Sequence, residues 1–290
     1  MKTIRKRNAS VKNTQKNTKS MKMVAAAKLR RAQTRLMNAR PYAEQVEALL
    51  GNIARMVPHH PLFKKRDEVK RAEFLILTSD RGLCGGFNGN LLRKIESFLR
   101  DKTSPEGALK TQAPYEEIRI HMVGKKGRDF FKARGRELAT VETGLYDGMS
   151  FEKALKMAQA VLSGYEEGKF DHFYLVSNRF KSAISQEVRI DRLLPIEPKP
   201  LERYLPEYIY EPSSQELVGQ ILLRGFATII HRAFLESVAS EVGARMAAME
   251  NATNNCSDMI YRLTLQLNRA RQATITKELM DIVNGAEALK

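Results

Sequence analysis

Long stretches without helix-breaking residues at both ends of the chain constrain its fold more than any other feature. Pro41 is the only proline among the first 57 residues, and no glycine occurs before Gly51. After Pro212 the chain contains no further proline. Because proline and glycine are the residues that helices tolerate least, we predict one long helix over residues 1–57 and another over residues 212–290.

The N-terminal helix carries a heptad pattern that begins at Ile4. From Ala25 onward every seam position is apolar, which is the pattern of a coiled coil. Many of these residues are alanines, so a partner helix can approach closely. Upstream the second seam line is polar, and we expect the first turns to be wound differently or to face another protein. The lines are Ile4, Val11, Thr18, Ala25, Ala32, Ala39, Val46 and Ile53, and Asn8, Gln15, Lys22, Leu29, Leu36, Ala43, Leu50 and Val57.

The C-terminal helix is predicted to begin at a capping box, Ser213 to Glu216, and to carry its own seam. A single helix of this length needs a partner for stability. The N-terminal helix supplies one, so we predict an antiparallel coiled coil. One seam line reads Leu235, Val242, Met249, Cys256, Leu263 and Ala270; the second reads Val238, Ala252, Met259, Ala273 and Met280, interrupted by Arg245 and Gln266.

Residues 72–194 change to a different period. Short apolar runs alternate with amphipathic stretches, which predicts an α/β domain of the Rossmann-like type. Glycine and proline-rich stretches at residues 101–114 and 195–212 are interpreted as loops. The predicted strands are Phe74–Leu77, Ile118–Val123, Leu138–Val141, Phe173–Val176 and Ile184–Ile190, and the predicted helices are Asn90–Arg100, Arg128–Ala133 and Phe151–Glu167.

Positive charge is concentrated at the N-terminus. Residues 1–40 contain 13 Lys and Arg and no acid, which leaves only +3 of the total charge of +16 for the rest of the chain. This distribution indicates an acidic partner at that end. A nucleic-acid-binding coiled coil is an alternative, although residues 1–41 contain no aromatic side chain for base stacking.

Other features of the sequence limit the compartment. No apolar run is long enough for a transmembrane helix, and the N-terminus lacks the apolar core of a secretory signal. The two cysteines, Cys84 and Cys256, do not form a disulfide framework and suit a reducing cytoplasm. We therefore expect a protein that does not insert into the membrane.

A glycine-rich loop, residues 80–89, follows the first predicted strand, where a phosphate-binding loop would lie. Its glycines do not form a G-x-G-x-x-G motif, and no Gly-Lys-Ser/Thr follows. A turn that is structural or contacts a partner is the favoured interpretation, and a nucleotide-dependent α/β enzyme remains the alternative. His59 and His60 have no third ligand nearby in the sequence, so no metal site is predicted.

Three segments resemble a known family. They are Ser10–Gln33, with the run Met-Lys-Met-Val-Ala-Ala-Ala-Lys-Leu-Arg-Arg-Ala; Ser79–Asn88, with Ser-Asp-Arg-Gly-Leu-Cys-Gly-Gly-Phe-Asn; and Ala244–Ala286, with Arg-Gln-Ala-x-Ile-Thr-x-Glu-x-x-Asp-Ile-Val-x-Gly-Ala near its end. These segments closely resemble the gamma subunits of F-type ATP synthases, and the resemblance runs from Thr3 to Leu289.

The resemblance implies a rotating central stalk. Its partners would be a hexamer of three alpha and three beta subunits, the epsilon subunit and the ring of c subunits. The chain would couple proton flow through the membrane sector to ATP synthesis or hydrolysis at the beta subunits and regulate ATPase activity. The resemblance also implies no catalytic site and no cofactor of its own, no nucleic-acid partner, and a peripheral position on the cytoplasmic face of a bacterial inner membrane.

Asn8, Asn17 and Ser20 are more polar than the residues expected at those positions of the family.

The same resemblance implies two sets of contact residues. The bearing and catch contacts to the alpha and beta subunits are Met21, Lys22, Met23, Arg271, Gln272, Thr276, Glu278 and Asp281. The contact loop to the beta or epsilon subunit in the lower stalk comprises Arg81, Gly82, Leu83, Cys84, Gly85, Gly86 and Asn88.

Overall fold

The computed structural model of the chain describes residues 1–64, 66, 68–103, 115–197 and 214–287. These residues form two compact units. The first unit is Met1–Ala27 with Arg245–Lys290, and the second unit is Lys28–Ala244. The predicted capping residue Ser213 lies outside the described residues.

Two very long helices, one near each end of the chain, confirm the prediction made from the missing helix breakers. Pro41 lies inside the first of them. Within the described residues, no helix is long and apolar enough to cross a membrane. In chain order the elements are α1 (Lys2–Met56), β1 (Arg71–Leu77), α2 (Phe87–Thr103), β2 (Glu117–Val123), α3 (Lys125–Lys132), β3 (Thr140–Glu142), α4 (Leu145–Gly148), α5 (Phe151–Glu166), β4 (His172–Phe180), β5 (Gln186–Leu194) and α6 (Ser214–Glu287).

The second unit contains a five-stranded sheet in the order β3-β2-β1-β4-β5. The first four strands are parallel, and β5 runs antiparallel to β4. Ala72 to Leu77 of the central strand β1 are all buried, because helices cover both faces of the sheet. The predicted Rossmann-like α/β class is therefore confirmed.

The two faces of the sheet carry different helices. Phe74 and Ile76 belong to a core cluster with α2 and α3. Leu75 and Leu77 belong to a second cluster with α5 and with the parts of α1 and α6 that lie in this unit. Alternating residues of β1 thus point to opposite layers, as the two-residue period of a strand requires.

All five observed strands differ in their limits from the predicted ones, and two of the predicted strands begin too early. The third was predicted over Leu138–Val141, but β3 is Thr140–Glu142. The fifth was predicted from Ile184, but β5 begins at Gln186 and Ile184 is 85% exposed in the turn before it. An apolar side chain at a turn was thus mistaken for the start of a strand.

Within the second unit, α1 and α6 pack antiparallel. Glu47 pairs with Arg232, and Arg40 lies 3.6 Å from Glu236. Gly225 of α6 lies so close to Leu50 that a Cβ atom there would be 2.8 Å from the leucine Cδ2. The predicted α1 seam is buried here from Leu29 to Ile53, except for half-buried Ala39. Small residues therefore bring the helices into close contact, as the seam predicts.

In the first unit the second seam line of α1 forms polar pairs with α6. Each of the three polar residues in the second seam line of α1 bonds to a polar residue of α6, and from one pair to the next α1 advances by seven residues while α6 goes back by seven. The pairs are Asn8 Nδ2 to Thr264 Oγ1 at 3.3 Å, Gln15 Nε2 to Ser257 Oγ at 2.7 Å and Lys22 Nζ to Glu250 Oε1 at 2.6 Å. The polar line of α1 therefore faces α6.

One predicted seam line of α6 is wrong by one residue. Met259 is 43% exposed and Gln266 is exposed, whereas Ile260 and Leu267 are partly buried. The line that includes Met249 and Leu263 is confirmed. The inward residues of the second line are Met246, Thr253, Ile260, Leu267 and Thr274. Each of them lies four residues after a residue of the first line, whereas the prediction placed it three residues after.

A buried carboxylate fixes the start of the sheet in the second unit. Asp171 Oδ2 accepts hydrogen bonds from the backbone amides of Lys70 and Arg71, at 2.9 and 2.8 Å. Its Oδ1 lies 3.0 Å from Arg66 Nη1 and 3.2 Å from Arg71 Nη2. Burial alone would raise the pKa of Asp171, but the amides of Arg71 and Lys70 and the Arg71 guanidinium outweigh it and lower the pKa.

The Asp171→Asn variant is therefore expected to destabilise the second unit by about 2 kcal/mol at pH 7, because charge-assisted hydrogen bonds are lost. A lowered folded pKa contributes stability above the unfolded value of about 3.9 and loses it as pH falls through the folded pKa. The urea midpoints of wild type and variant should thus converge below about pH 4. Asp129→Asn, in an exposed ion pair with Arg128, is the control; an equal loss in both variants would contradict the role of Asp171.

Candidate functional site

The predicted contact residues on α1 differ in how they are presented. Lys22 is engaged with Glu250 across the seam of the first unit, and Met21 is half-buried. Met23 and Val24 point outward, with 58% and 59% of their surface exposed. Of the predicted trio, Met23 is therefore the residue best placed to touch another chain, while Lys22 joins the two helices.

The predicted contact residues on α6 are all exposed. Arg271, Gln272, Thr276, Glu278 and Asp281 lie along the same final turns of the helix. In the described part of the chain, a hydrogen bond within this set runs from the Thr276 hydroxyl to the Gln272 carbonyl, at 3.0 Å, along the helix itself. The charged groups of this set are thus accessible to solvent.

Sequence reasoning missed an apolar stripe beside these polar residues. Ile275, Leu279 and Ile282 are 52%, 58% and 71% exposed, and their spacing of four and three residues places them on one face of α6. Met280 and Val283 lie next to them and are also about half exposed. Contiguous exposed apolar surface marks an interaction site, and the helical spacing of these side chains could have revealed it.

The glycine-rich loop of the second unit is closed by its own hydrogen bonds. Asn88 Oδ1 accepts from the Ser79 amide at 3.0 Å. Asn88 Nδ2 donates to Ser79 Oγ at 2.8 Å and lies 3.2 Å from Cys84 Sγ. Ser79 Oγ in turn donates to the Arg81 carbonyl at 2.7 Å. One asparagine thereby ties the start of the loop to its end.

The crevice at the carboxyl ends of β1 and β4, where α/β sheets of this topology bind nucleotides, is filled by the chain itself. Cys84 and Phe87 are buried and pack against Ala244 of α6. Asp80 accepts hydrogen bonds from the amides of Lys125, at 3.0 Å, and Gly144, at 2.8 Å. Its carboxylate thus occupies the N-terminus of α3, the position that would attract a phosphate.

The seven predicted loop residues divide into two groups. Cys84 and Asn88 point inward and hold the loop, as described above, and Gly82 is half-buried. Arg81, Leu83 and the glycines Gly85 and Gly86 are exposed. Leu83 has φ = 64° and is 63% exposed, a costly conformation for a leucine. Leu83 therefore presents an apolar side chain to solvent from a strained backbone conformation.

The described residues contain no group of three His, Cys, Asp or Glu side chains placed to hold a metal ion. Two exposed surfaces are suited to protein contacts: the outer face of α6 in the first unit, and the tip of the glycine-rich loop in the second.

Comparison with known proteins gives full-length matches. The family described as ATP synthase matches residues 1–289. The ATP synthase gamma chain of Geotalea daltonii is 44% identical over 294 residues, covering 100% of this chain and 99% of the relative. The ATP synthase gamma chain of an Anaeromyxobacter species is 47% identical over 294 residues, covering 99% and 98%.

Solved structures agree with these matches. The central stalk and c-ring structure of the Tetrahymena thermophila mitochondrial ATP synthase contains a chain with a TM-score of 0.59 and 27% identity, covering 81% of this chain and 98% of that one. A chain of the Euglena gracilis mitochondrial ATP synthase rotor has a TM-score of 0.65 and 19% identity, with 94% and 98% covered. At 19% identity the likeness is one of fold.

Proposed function

The chain belongs to the ATP synthase gamma-chain family, and on that premise we propose that it is the rotating central-stalk subunit of an F-type ATP synthase. It couples proton flow through the membrane sector to ATP synthesis and hydrolysis at the beta subunits, and it regulates the ATPase activity. The observation that carries this proposal is the match to gamma chains at 44–47% identity over essentially the whole length.

The partners proposed for the first unit are the alpha and beta subunits. A rotor inside a hexamer meets each subunit in turn, so its contacts must form and break at low cost. Apolar contacts suit this requirement because they are non-directional, and the stripe of Ile275, Leu279 and Ile282 supplies them. The unbalanced positive charge of α1 adds attraction to acidic surfaces without fixing one geometry.

The partners proposed for the second unit are the epsilon subunit, the beta subunits and the c-ring, with the exposed loop residues Arg81 and Leu83 at one contact. We further propose that the chain has no catalytic site of its own. In support, Cys84, Phe87 and Ala244 pack together at the crevice where a nucleotide would bind, and the Asp80 carboxylate occupies the N-terminus of α3, where a phosphate would bind. The subunit is peripheral, and the proposed location is the cytoplasmic face of a bacterial inner membrane.

Co-purification tests this function. A tagged chain, extracted from native membranes, is expected to bring down alpha and beta subunits in excess over itself. Absence of both would refute the proposal. A shift of duplex DNA that persists near physiological salt would favour the nucleic-acid alternative, and stoichiometric binding of ATP by the isolated chain would favour the enzyme alternative.

Removing the proposed catch residues should impair coupling without preventing assembly. Arg271→Ala and Glu278→Ala are each expected to lower coupled ATP synthesis by roughly 3- to 10-fold, since each removes a charge-assisted contact worth about 1 kcal/mol. Lys277→Ala, an exposed neighbour outside the proposed set, is the control. Equal rates of synthesis and hydrolysis in all four complexes would rule out the proposed role.

A variant of Leu83 can separate the effect on partner binding from the effect on folding stability. Leu83→Gly should change the unfolding free energy by less than about 0.5 kcal/mol, because relief of the left-handed leucine offsets the greater unfolded entropy of glycine. Binding to the epsilon subunit or to the hexamer should nevertheless weaken, because the exposed apolar side chain is lost. Titration of the partners and urea unfolding measure the two effects, and unchanged binding to both would exclude Leu83 from the interface.

A further inference from the structure

A cavity of about 320 Å³ lies in the second unit between α5 and the strands β1, β2, β3 and β4. Its size falls at the lower end of the range of small-molecule sites, about 300–1,000 Å³. The walls are mostly apolar and are formed by Leu75, Val123, Met157, Val161 and Phe173. It lies apart from the glycine-rich loop, and none of the proposed contact residues lines it.

A nearly buried carboxylate lines this cavity. Glu73 is 8% exposed, and its Oε2 lies 3.1 Å from His121 Nε2. The other ring nitrogen of His121, Nδ1, lies 2.9 Å from the Thr140 hydroxyl oxygen. With a proton on Nε2, the imidazole donates to Glu73 and accepts from Thr140. Three neighbouring strands thereby hold the carboxylate in one position.

The second oxygen of this carboxylate is left with acceptor capacity. Arg119 Nη1 lies 4.0 Å from Glu73 Oε1, which is too far for a hydrogen bond. Arg119 also bonds to Glu117 at 2.7 Å. A carboxylate with so little access to water gains most from a charged donor.

The other charged groups at the cavity decide between ligand classes. Glu142 and Lys156 also line it, so among the lining side chains the two carboxylates outnumber the one ammonium group. The Arg119 guanidinium lies outside the lining and is bonded to Glu117. An anion would be repelled by both carboxylates. A purely apolar ligand would remove water from Glu73 without replacing the lost hydrogen bonds, which is costly.

We propose that this cavity binds a small organic cation, namely an amidinium or primary ammonium group carried on a compact apolar body. The cationic group donates to Glu73 Oε1, and the apolar body lies against Val161, Met157 and Phe173. An amidinium has two parallel N–H donors and therefore matches a carboxylate best. The ligand would join the edge strand β3 to α5 and stabilise the second unit by mass action.

Benzamidine is a suitable probe for the full-length chain, with benzamide as its neutral isostere and benzoate as the anion. Benzamidine is expected to raise the melting temperature with a saturable dependence on concentration, and to bind at least about 10-fold more tightly than either analogue. Equal effects of benzamidine and benzamide, or no binding of benzamidine at millimolar concentration, would overturn the proposal.

Two variants locate the site. Glu73→Gln should weaken benzamidine binding by about 10-fold or more, whereas Glu116→Gln, at an exposed residue immediately before β2, should bind as wild type does. Val161→Trp fills the cavity while leaving Glu73 in place, and it should also abolish binding. Since a melting curve without ligand reports folding of each variant, wild-type binding by a folded Val161→Trp chain would contradict the assignment.

Discussion

The Gly124→Ala variant is expected to lose more than about 3 kcal/mol of folding free energy, enough to leave much of the second unit unfolded. Gly124 joins β2 to α3 with φ = 97°, a conformation that alanine adopts only with strain. A Cβ atom there would lie 2.0 Å from the Thr78 carbonyl oxygen and 2.8 Å from its Oγ1. The backbone strain and the clash with Thr78 therefore both result from adding this one Cβ atom.

Thr78 cannot move away from such a Cβ atom without losing hydrogen bonds to β2 and α3. Its amide donates to the Val123 carbonyl at 2.9 Å. Its hydroxyl donates to the same carbonyl at 2.8 Å and accepts from the Gly127 amide at 3.0 Å. Any movement that relieves the clash therefore costs buried hydrogen bonds.

Gly135→Ala is the matched control, since Gly135 has φ = 67° but no neighbouring atom within 4 Å of the place that an alanine Cβ would take. It should cost only about 1 kcal/mol from the backbone conformation. Urea unfolding followed by circular dichroism measures both variants. Equal losses in the two would show that the conformation, and not the contact with Thr78, explains the effect.

The Leu36→Asp variant is expected to disrupt the helix pair of the second unit by about 4 kcal/mol or more, through a lost apolar side chain and a buried charge. Leu36 is a seam residue of α1 and is only 2% exposed. Because the proposed rotor transmits torque through this pair, coupled ATP synthesis by the reconstituted complex should fall close to zero.

The adjacent residue provides a control for this variant. Met37 is 65% exposed, so Met37→Asp should change stability by less than about 0.5 kcal/mol and leave coupled synthesis nearly intact. Urea midpoints and synthesis rates distinguish the two positions. If Leu36→Asp retained wild-type stability, the seam assignment of α1 would be wrong.

The sequence predicted α1 better than α6 for a physical reason. From Ala25 onward, α1 offers only one apolar stripe, so its period identifies the buried face. In α6 the alternative lines through Met259 and through Ile260 both contain apolar residues. The choice between them depends on where the partner helix lies, which a period alone does not contain.

Contacts between distant residues were also beyond sequence reasoning. The loop at Cys84 is packed by Ala244, and nothing in either local sequence indicates the other. The Glu73, His121 and Thr140 set comes from three strands and depends on the register that places Leu75 and Thr140 on either side of His121. The periodicity of the sequence was enough to predict the fold class. These contacts depend on the order and register of the strands, which the periodicity does not contain.

The polar seam of the first unit gives the two helices a unique alignment. At 1.5 Å per residue, a slip of a single residue along the axis would separate all three polar pairs together. A slip of a whole heptad would restore polar neighbours but place Lys22 opposite Ser257, leaving Lys22 and Glu250 without each other. Apolar seams tolerate such errors, and charged ones do not. The three polar pairs thus specify the axial register of the two helices, because only one of the many possible alignments forms all three pairs at once.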